Sequence, residues 1–175
     1  MLSGIVIAVV VAIAAVLIVA AIRPGAFEVQ RSIAINASPE RVFPLIDDFN
    51  DWRTWSPYET KDPDMQRAFS GSPSGKGAVY AWDGNNQVGK GSIEIVESVP
   101  PSRITIKLDM LKPIEGHNIV NFTLQPQESG TQVTWAMRGS YPFISRLIGL
   151  FMNMDRMIGG DFETGLASLK AVAEK

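Results

Sequence analysis

Cysteine is missing from the 175 residues, and histidine occurs once, at His117. Without a thiol there is no disulfide, no thiolate zinc site, no iron–sulfur cluster and no cysteine nucleophile. A single imidazole excludes a His-rich metal centre. The residues therefore call for no metal and no cofactor. Clustered positive charge is missing too. The 16 Lys+Arg and 18 Asp+Glu leave a net charge of −2, with no basic run. A nucleic-acid binder needs a basic patch to displace counterions from phosphates, so that class of partner is excluded. The glycine-rich stretches at 71–77 and 84–91 lack the Gly-Lys-Ser/Thr ending of a phosphate loop and read as hairpin turns. No internal repeat or low-complexity tract is present.

Charge is also absent from residues 1–22, where only Ser3 and Gly4 are not apolar. The run over residues 2–22 is long enough, at about 1.5 Å per residue, to cross the roughly 30 Å hydrocarbon core of a bilayer as one helix. A secretory signal is the competing reading. It would show a basic n-region before an apolar stretch of about 7–15 residues and a small-residue cleavage site. Here no basic residue precedes the run and the run is longer, although Val19-Ala20-Ala21 offers a site of that kind. Arg23 and Arg31 follow the span, so the positive-inside rule places the following domain in the cytoplasm; the extracytoplasmic side is the alternative. The resulting division is a transmembrane anchor over 1–22, a Pro24-Gly25 hinge over 23–26 and one domain over 27–175.

Within that domain, residues 27–36 alternate, with Phe27, Val29, Arg31, Ile33 and Ile35 on one face, the period of a half-buried strand. Ser38-Pro39 opens a short amphipathic helix to about Phe49, with Ser at the cap and Pro at the first helical position. The stretch 51–57 is aromatic-rich and broken by Pro57. Strand-like runs follow at 65–69, 78–82, 91–98, 103–110, 117–125 and 131–139, separated by Gly, Pro, Asn and Ser turns, which predicts an antiparallel meander. After Pro142, Leu147, Phe151, Met154, Ile158, Phe162, Leu166, Leu169 and Val172 recur at three and four, predicting one long amphipathic helix. Gly159-Gly160 inside it predicts either a kink or a close approach to the sheet.

Strand alternation puts Ile104, Ile106, Leu108 and Met110 on the face toward that helix. Asn118, Val120, Phe122 and Leu124 share a face, as do Val133, Trp135 and Met137. A curved sheet around a helix, faced with bulky Trp, Phe and Met, either leaves an apolar pocket or closes as an ordinary core.

The order of one strand, a helix pair, a six-strand meander and a long terminal helix resembles the START-like, helix-grip SRPBCC superfamily, specifically its polyketide cyclase/dehydrase and lipid-transport branch. The stretches that carry the resemblance are SPERVFPLIDDFNDWRTWSPYE, FSGSPSGKGAVYAWDGNNQVGKGSIEIVES and LFMNMDRMIGGDFETGLASLK, within residues 27–175. It implies an α+β helix-grip fold, a curved antiparallel sheet wrapped around a long C-terminal helix, here following an N-terminal transmembrane helix. It also implies an apolar cavity between sheet and helix that accepts a hydrophobic small molecule or lipid. A cyclase or dehydratase acting on a polyketide-like substrate is the alternative within the same superfamily.

The candidate ligand-binding residues follow from the faces and the resemblance together. Phe122, Trp135 and Met137 on the sheet oppose Phe151, Met154 and Ile158 on the helix. Trp52, Trp55 and Tyr58 form either a lid over the entrance or packing beneath their loop. Asn118 and Tyr80 are placed to orient a ligand by hydrogen bonds, and Trp82 is a further ligand-binding candidate. Asp155 is either an acid at the mouth of the cavity or a surface partner of Arg156 or Arg138. His117 alternates with Asn118 and so faces outward, as a surface residue and not a general base. No catalytic residue and no metal ligand is assigned.

Overall fold

A computed structural model describes residues 2–22, 25–140 and 154–175. The first element, α1 (Leu2–Ile22), is a continuous apolar helix without a charged residue. Apart from Ala20, its side chains from Gly4 onward are exposed. A helix that is apolar on every side yet unburied by its own chain is suited to hydrocarbon and not to a soluble core. By length and composition α1 is a candidate membrane span or a signal sequence.

The remaining elements are β1 (Ala26–Ile35), α2 (Pro39–Asp47), a 3-10 turn (Asp51–Thr54), α3 (Pro57–Lys61), β2 (Gln66–Gly71), β3 (Ala78–Asp83), β4 (Lys90–Val99), β5 (Arg103–Lys112), β6 (Gly116–Gln127), β7 (Gly130–Ser140) and α4 (Met154–Ala173). The seven strands form one antiparallel sheet in the order β1-β7-β6-β5-β4-β3-β2. It is a meander from β2 to β7, closed by β1 laid against β7. Register shifts between β4 and β5, at Lys90/Gly91 and Ile95/Glu97, bend the sheet. Gly130, with φ at 135°, makes the β6–β7 turn where an L side chain would meet the Ile35 carbonyl. The architecture is α+β, a curved antiparallel sheet gripping a C-terminal helix.

Two boundaries differ from expectation. Helix α2 stops at Asp47, because Asp48 turns extended, and Phe49 instead drops into the core against Trp52. The segment expected to be broken at Pro57 contains a helix. Proline's fixed φ and missing N–H suit the first turn of α3, and Pro57 occupies it. Leu147 and Phe151, expected in the terminal helix, lie outside the described residues.

Helix α4 lies along β1 and runs in the same direction. Arg31 on β1 meets Asp155 and Glu163, Lys170 Nζ donates to the Ala34 carbonyl at 2.8 Å, and the Asn36 amide donates to Glu174 at 2.6 Å. Gly159 gives the close approach: a Cβ there would overlap the Arg31 guanidinium. Farther along, Phe162 stacks on Trp135 with ring centroids 4.2 Å apart, and Leu166 and Leu169 complete the buried face.

Candidate functional site

Cross-strand register resolves the inner face into rows. The deepest holds Val133 and Leu124, and the next Trp135, Phe122 and Ile104. Val29, Met137, Val120, Ile106 and Ile95 follow, all buried. The fourth row is Phe27, Gly139, Asn118, Leu108, Ile93 and Tyr80. Burial breaks there: Phe27, Gly139, Asn118 and Leu108 are half-buried, as are Met110 and Trp82 beyond them. Among the described residues burial is complete at one end of the grip and partial at the other, the open end, where β1 begins.

At the deep end the face is filled by aromatic rings. Trp55 meets Trp135 edge-on at 5.6 Å and Phe122 at 6.1 Å, while Trp52 lies 5.0 Å from Trp55 and 6.2 Å from Phe122. Such tilted and T-shaped pairs are the favoured geometry for aromatic quadrupoles. The Trp52 and Trp55 indoles donate to the carbonyls of Ile46 and Leu45, which explains why both rings turn inward from their loop. The structure thus places Trp52 and Trp55 in packing beneath the loop and not over an entrance. Phe122 and Trp135 are partners in the same block. Among the described residues Trp135 Nε1 is the one buried side-chain nitrogen or oxygen with no hydrogen-bond partner.

The open end is packed less completely. Asn118 projects from the inner face over Gly139, where a Cβ would collide with its Oδ1, and its side-chain amide makes no hydrogen bond within the described residues. Met137 lies one row deeper, and Leu108, Trp82 and Ile158 are partly buried against the core. The Trp82 indole is held by the Val88 carbonyl at 3.0 Å, so its ring is fixed. The result is a largely apolar face on which Asn118, beside Leu108, carries one uncommitted amide.

Beside it stands a buried polar cluster that strand patterning did not single out. Glu59, on α3, accepts from the Tyr80 hydroxyl at 2.7 Å through Oε1 and from Arg67 Nε and Nη2 at 2.8 and 2.7 Å through Oε2. Arg67 also donates to the Met65 and Pro63 carbonyls. Burial first, and then the Glu59 hydrogen bond, push the Tyr80 phenol well above its ordinary range. Arg67 shares the inner phase of β2 with Phe69, and an arginine in a core phase is the sequence signal that points to such a cluster. Tyr80 is therefore occupied in fastening α3 to the sheet.

The other candidates fall elsewhere. Tyr58 is half-buried on α3, with Lys61 Nζ 5.3 Å from its ring centroid and Lys61 bound to Asp161 of α4 at 2.6 Å. Asp155 is exposed and pairs with Arg31 at 3.1 Å, not with Arg156 or Arg138 as anticipated. Its partner is the one charged residue on the inner phase of β1. His117 is exposed, with Nδ1 2.6 Å from Asp109, on the outer side near an open depression lined by Glu28, Ile119 and Arg138. Met154 is the first residue of α4, and Phe151 lies outside the described residues. Among the described residues no group of three or more His, Asp or Glu side chains is disposed to hold a metal.

No curated protein matches the sequence. Solved structures do. Protein CV1439 from Chromobacterium violaceum is 18% identical, with a TM-score of 0.60 over 87% of this chain and 99% of that one. The Aha1 dimer from Colwellia psychrerythraea is 16% identical, with a TM-score of 0.57 over 85% of this chain and 96% of that one. The di-domain ARO/CYC StfQ of the steffimycin biosynthetic pathway is 10% identical, with a TM-score of 0.62 over 85% of this chain and 51% of that one. At these identities the likeness establishes the fold, and only about half of StfQ is matched. The family model described as polyketide cyclase / dehydrase and lipid transport matches residues 26–174, almost the whole chain after α1. The chain belongs to that family, within the SRPBCC superfamily.

Proposed function

We propose that the protein is a membrane-tethered binding module for a hydrophobic small molecule or lipid, anchored through residues 2–22 and receiving its ligand at the open end of the grip. One observation carries the reading: half-buried Leu108 pairs directly with Asn118, whose side-chain amide makes no hydrogen bond within the described residues, and half-buried Met110 follows on the same face of β5. Apolar lining with one orienting polar group is the composition of small-molecule sites. A lipid or polyketide-like ligand would bury its chain against these residues and present one oxygen to the amide. Tethering by α1 favours a ligand dissolved in the bilayer, and Arg23 and Arg31 favour a cytoplasmic domain. Turnover would require an available acid or base, and the buried carboxylate Glu59 is committed to Arg67 and Tyr80.

The test is extraction of the full chain from nanodiscs, with mass spectrometry of what accompanies it, in wild type and Leu108→Trp. Bound hydrophobic ligand in wild type, and its loss in a variant that unfolds at the same temperature, is the expected result. A hundredfold ligand excess over the dissociation constant would add about 2.7 kcal/mol of stability. Wild type that carries no ligand, and whose unfolding no fatty acid, sterol or polyketide shifts, would overturn the reading.

A further inference from the structure

We infer that the open end of the grip faces the bilayer and that the β5–β6 hairpin tip, through Leu111 and Ile114, inserts into the lipid headgroup region. The inference rests on α1 being a membrane anchor and extends that reading to the orientation of the domain.

Chain connectivity comes first. Four residue steps separate Ile22, the end of α1, from Ala26, the start of β1. Fully extended, they reach at most about 14 Å, so Ala26 stays near the membrane surface. Register then carries that constraint across the sheet. Ala26 pairs with Ser140, Gly139 with Asn118, Asn118 with Leu108, and Gly116 with Met110. The β5–β6 tip, residues 111–115, therefore projects from the same end of the sheet as the anchor. Because α4 runs in the direction of β1, its first turn lies at this end too.

The distribution of exposed apolar side chains is the second observation. Outside α1 the described residues expose five large ones: Phe69, Val99, Leu111, Ile114 and Met157. Leu111 is 54% exposed, Ile114 40% and Met157 48%, and these three belong to the anchored end. The β6–β7 turn at the far end carries Gln127, Glu128 and Ser129. Lys112 stands between the two apolar residues of the tip, where a long stem lets its ammonium remain among headgroups while Leu111 and Ile114 enter. Two bulky aliphatic side chains on one hairpin tip fit a lipid surface, whereas at the far end Val99 is exposed singly. This docking turns the Leu108, Met110 and Asn118 surface toward the lipid, so a ligand moves from bilayer to site without crossing bulk water.

The absence of native cysteine makes the test direct. Single cysteines at Val10→Cys, Ile114→Cys and Glu128→Cys in the full chain are labelled with bimane and reconstituted in phosphatidylcholine vesicles, with and without brominated acyl chains. Leu111→Cys duplicates the tip. Quenching at positions 10, 111 and 114, with unchanged fluorescence at 128, is the expected result. Quenching at 10 but not at 111 or 114 overturns the docking and leaves the anchor standing. Equal quenching at 114 and 128 overturns the orientation, and no quenching at 10 removes the anchor and this inference with it.

Discussion

At the scale of single residues, Glu59 decides how α3 is held. Its side chain is buried and its two oxygens are divided between Tyr80 and Arg67. Arg67→Ala leaves a buried carboxylate without its cation and is expected to cost about 3–5 kcal/mol, read as a shift in urea midpoint. Tyr80→Phe removes one donor and is expected to cost about 1–3 kcal/mol. The phenol also has a pH signature. Its native pKa is raised above the ordinary 10.0, so its contribution is complete below pH 10.0 and declines as pH rises beyond it, where the unfolded chain ionises first. Urea midpoints taken on either side of that pH should fall in wild type more steeply than in Tyr80→Phe. Equal slopes would mean that the hydroxyl contributes nothing through ionisation.

At the scale of elements, α4 offers a contrast between neighbouring glycines. A Cβ at Gly160 meets nothing within 4 Å, so Gly160→Ala should gain the helix-propensity difference of about 1 kcal/mol. A Cβ at Gly165 would lie 2.7 Å from Trp135 Cζ3 and 2.9 Å from Pro57 Cδ, both held in the core. Gly165→Ala should therefore lose stability despite the same propensity gain, since overpacking costs roughly 1–3 kcal/mol. Opposite shifts in thermal midpoint are the expected outcome. Sequence patterning reached the elements well, because period-two alternation is a local property: Phe122, Leu124, Val133 and Trp135 fall on one face whatever they pack against. It also put Arg31 in phase with Val29 and Ile33. Its pairing with Asp155 and Glu163 depends on the direction in which α4 crosses β1, which no spacing encodes. Glu59 escaped notice for the same reason, since its partners come from β2 and β3. The aromatic loop was legible as aromatic but not as inward-facing, because the carbonyls of Leu45 and Ile46 that hold its indoles become available only once α2 ends.

At the scale of the whole molecule, surface charge predicts an acid limb. Asp83 beside Lys90, Glu97 beside Arg103, Asp109 beside Lys107 and then His117, and Glu174 beside Lys170 all have pKa values below their ordinary 3.8 and 4.5. Depressed carboxylates lend stability that is complete above their unfolded values and is lost as pH falls through the native ones. Asp51, raised by its burial and then by Asp48, acts in the opposite direction. Urea midpoints should hold from neutral pH to about 4.5 and decline below it. The decline should be shallow and weakened by salt, because these pairs are exposed. A midpoint that rises on acidification would contradict this balance.

The ten-pair ladder between β1 and β7, from Ala26–Ser140 to Ile35–Thr131, also has a mechanical meaning. The strand that follows α1 is the one flanked by β7 on one side and clasped by α4 on the other, with Lys170 on the Ala34 carbonyl and Glu174 on the Asn36 amide. A pull transmitted from α1 acts along β1, parallel to the strand and across every rung at once. The joint is loaded in shear and not peeled rung by rung. In the tethered arrangement proposed above, any tension between α1 and the domain is spread over the whole ladder before any rung can give way.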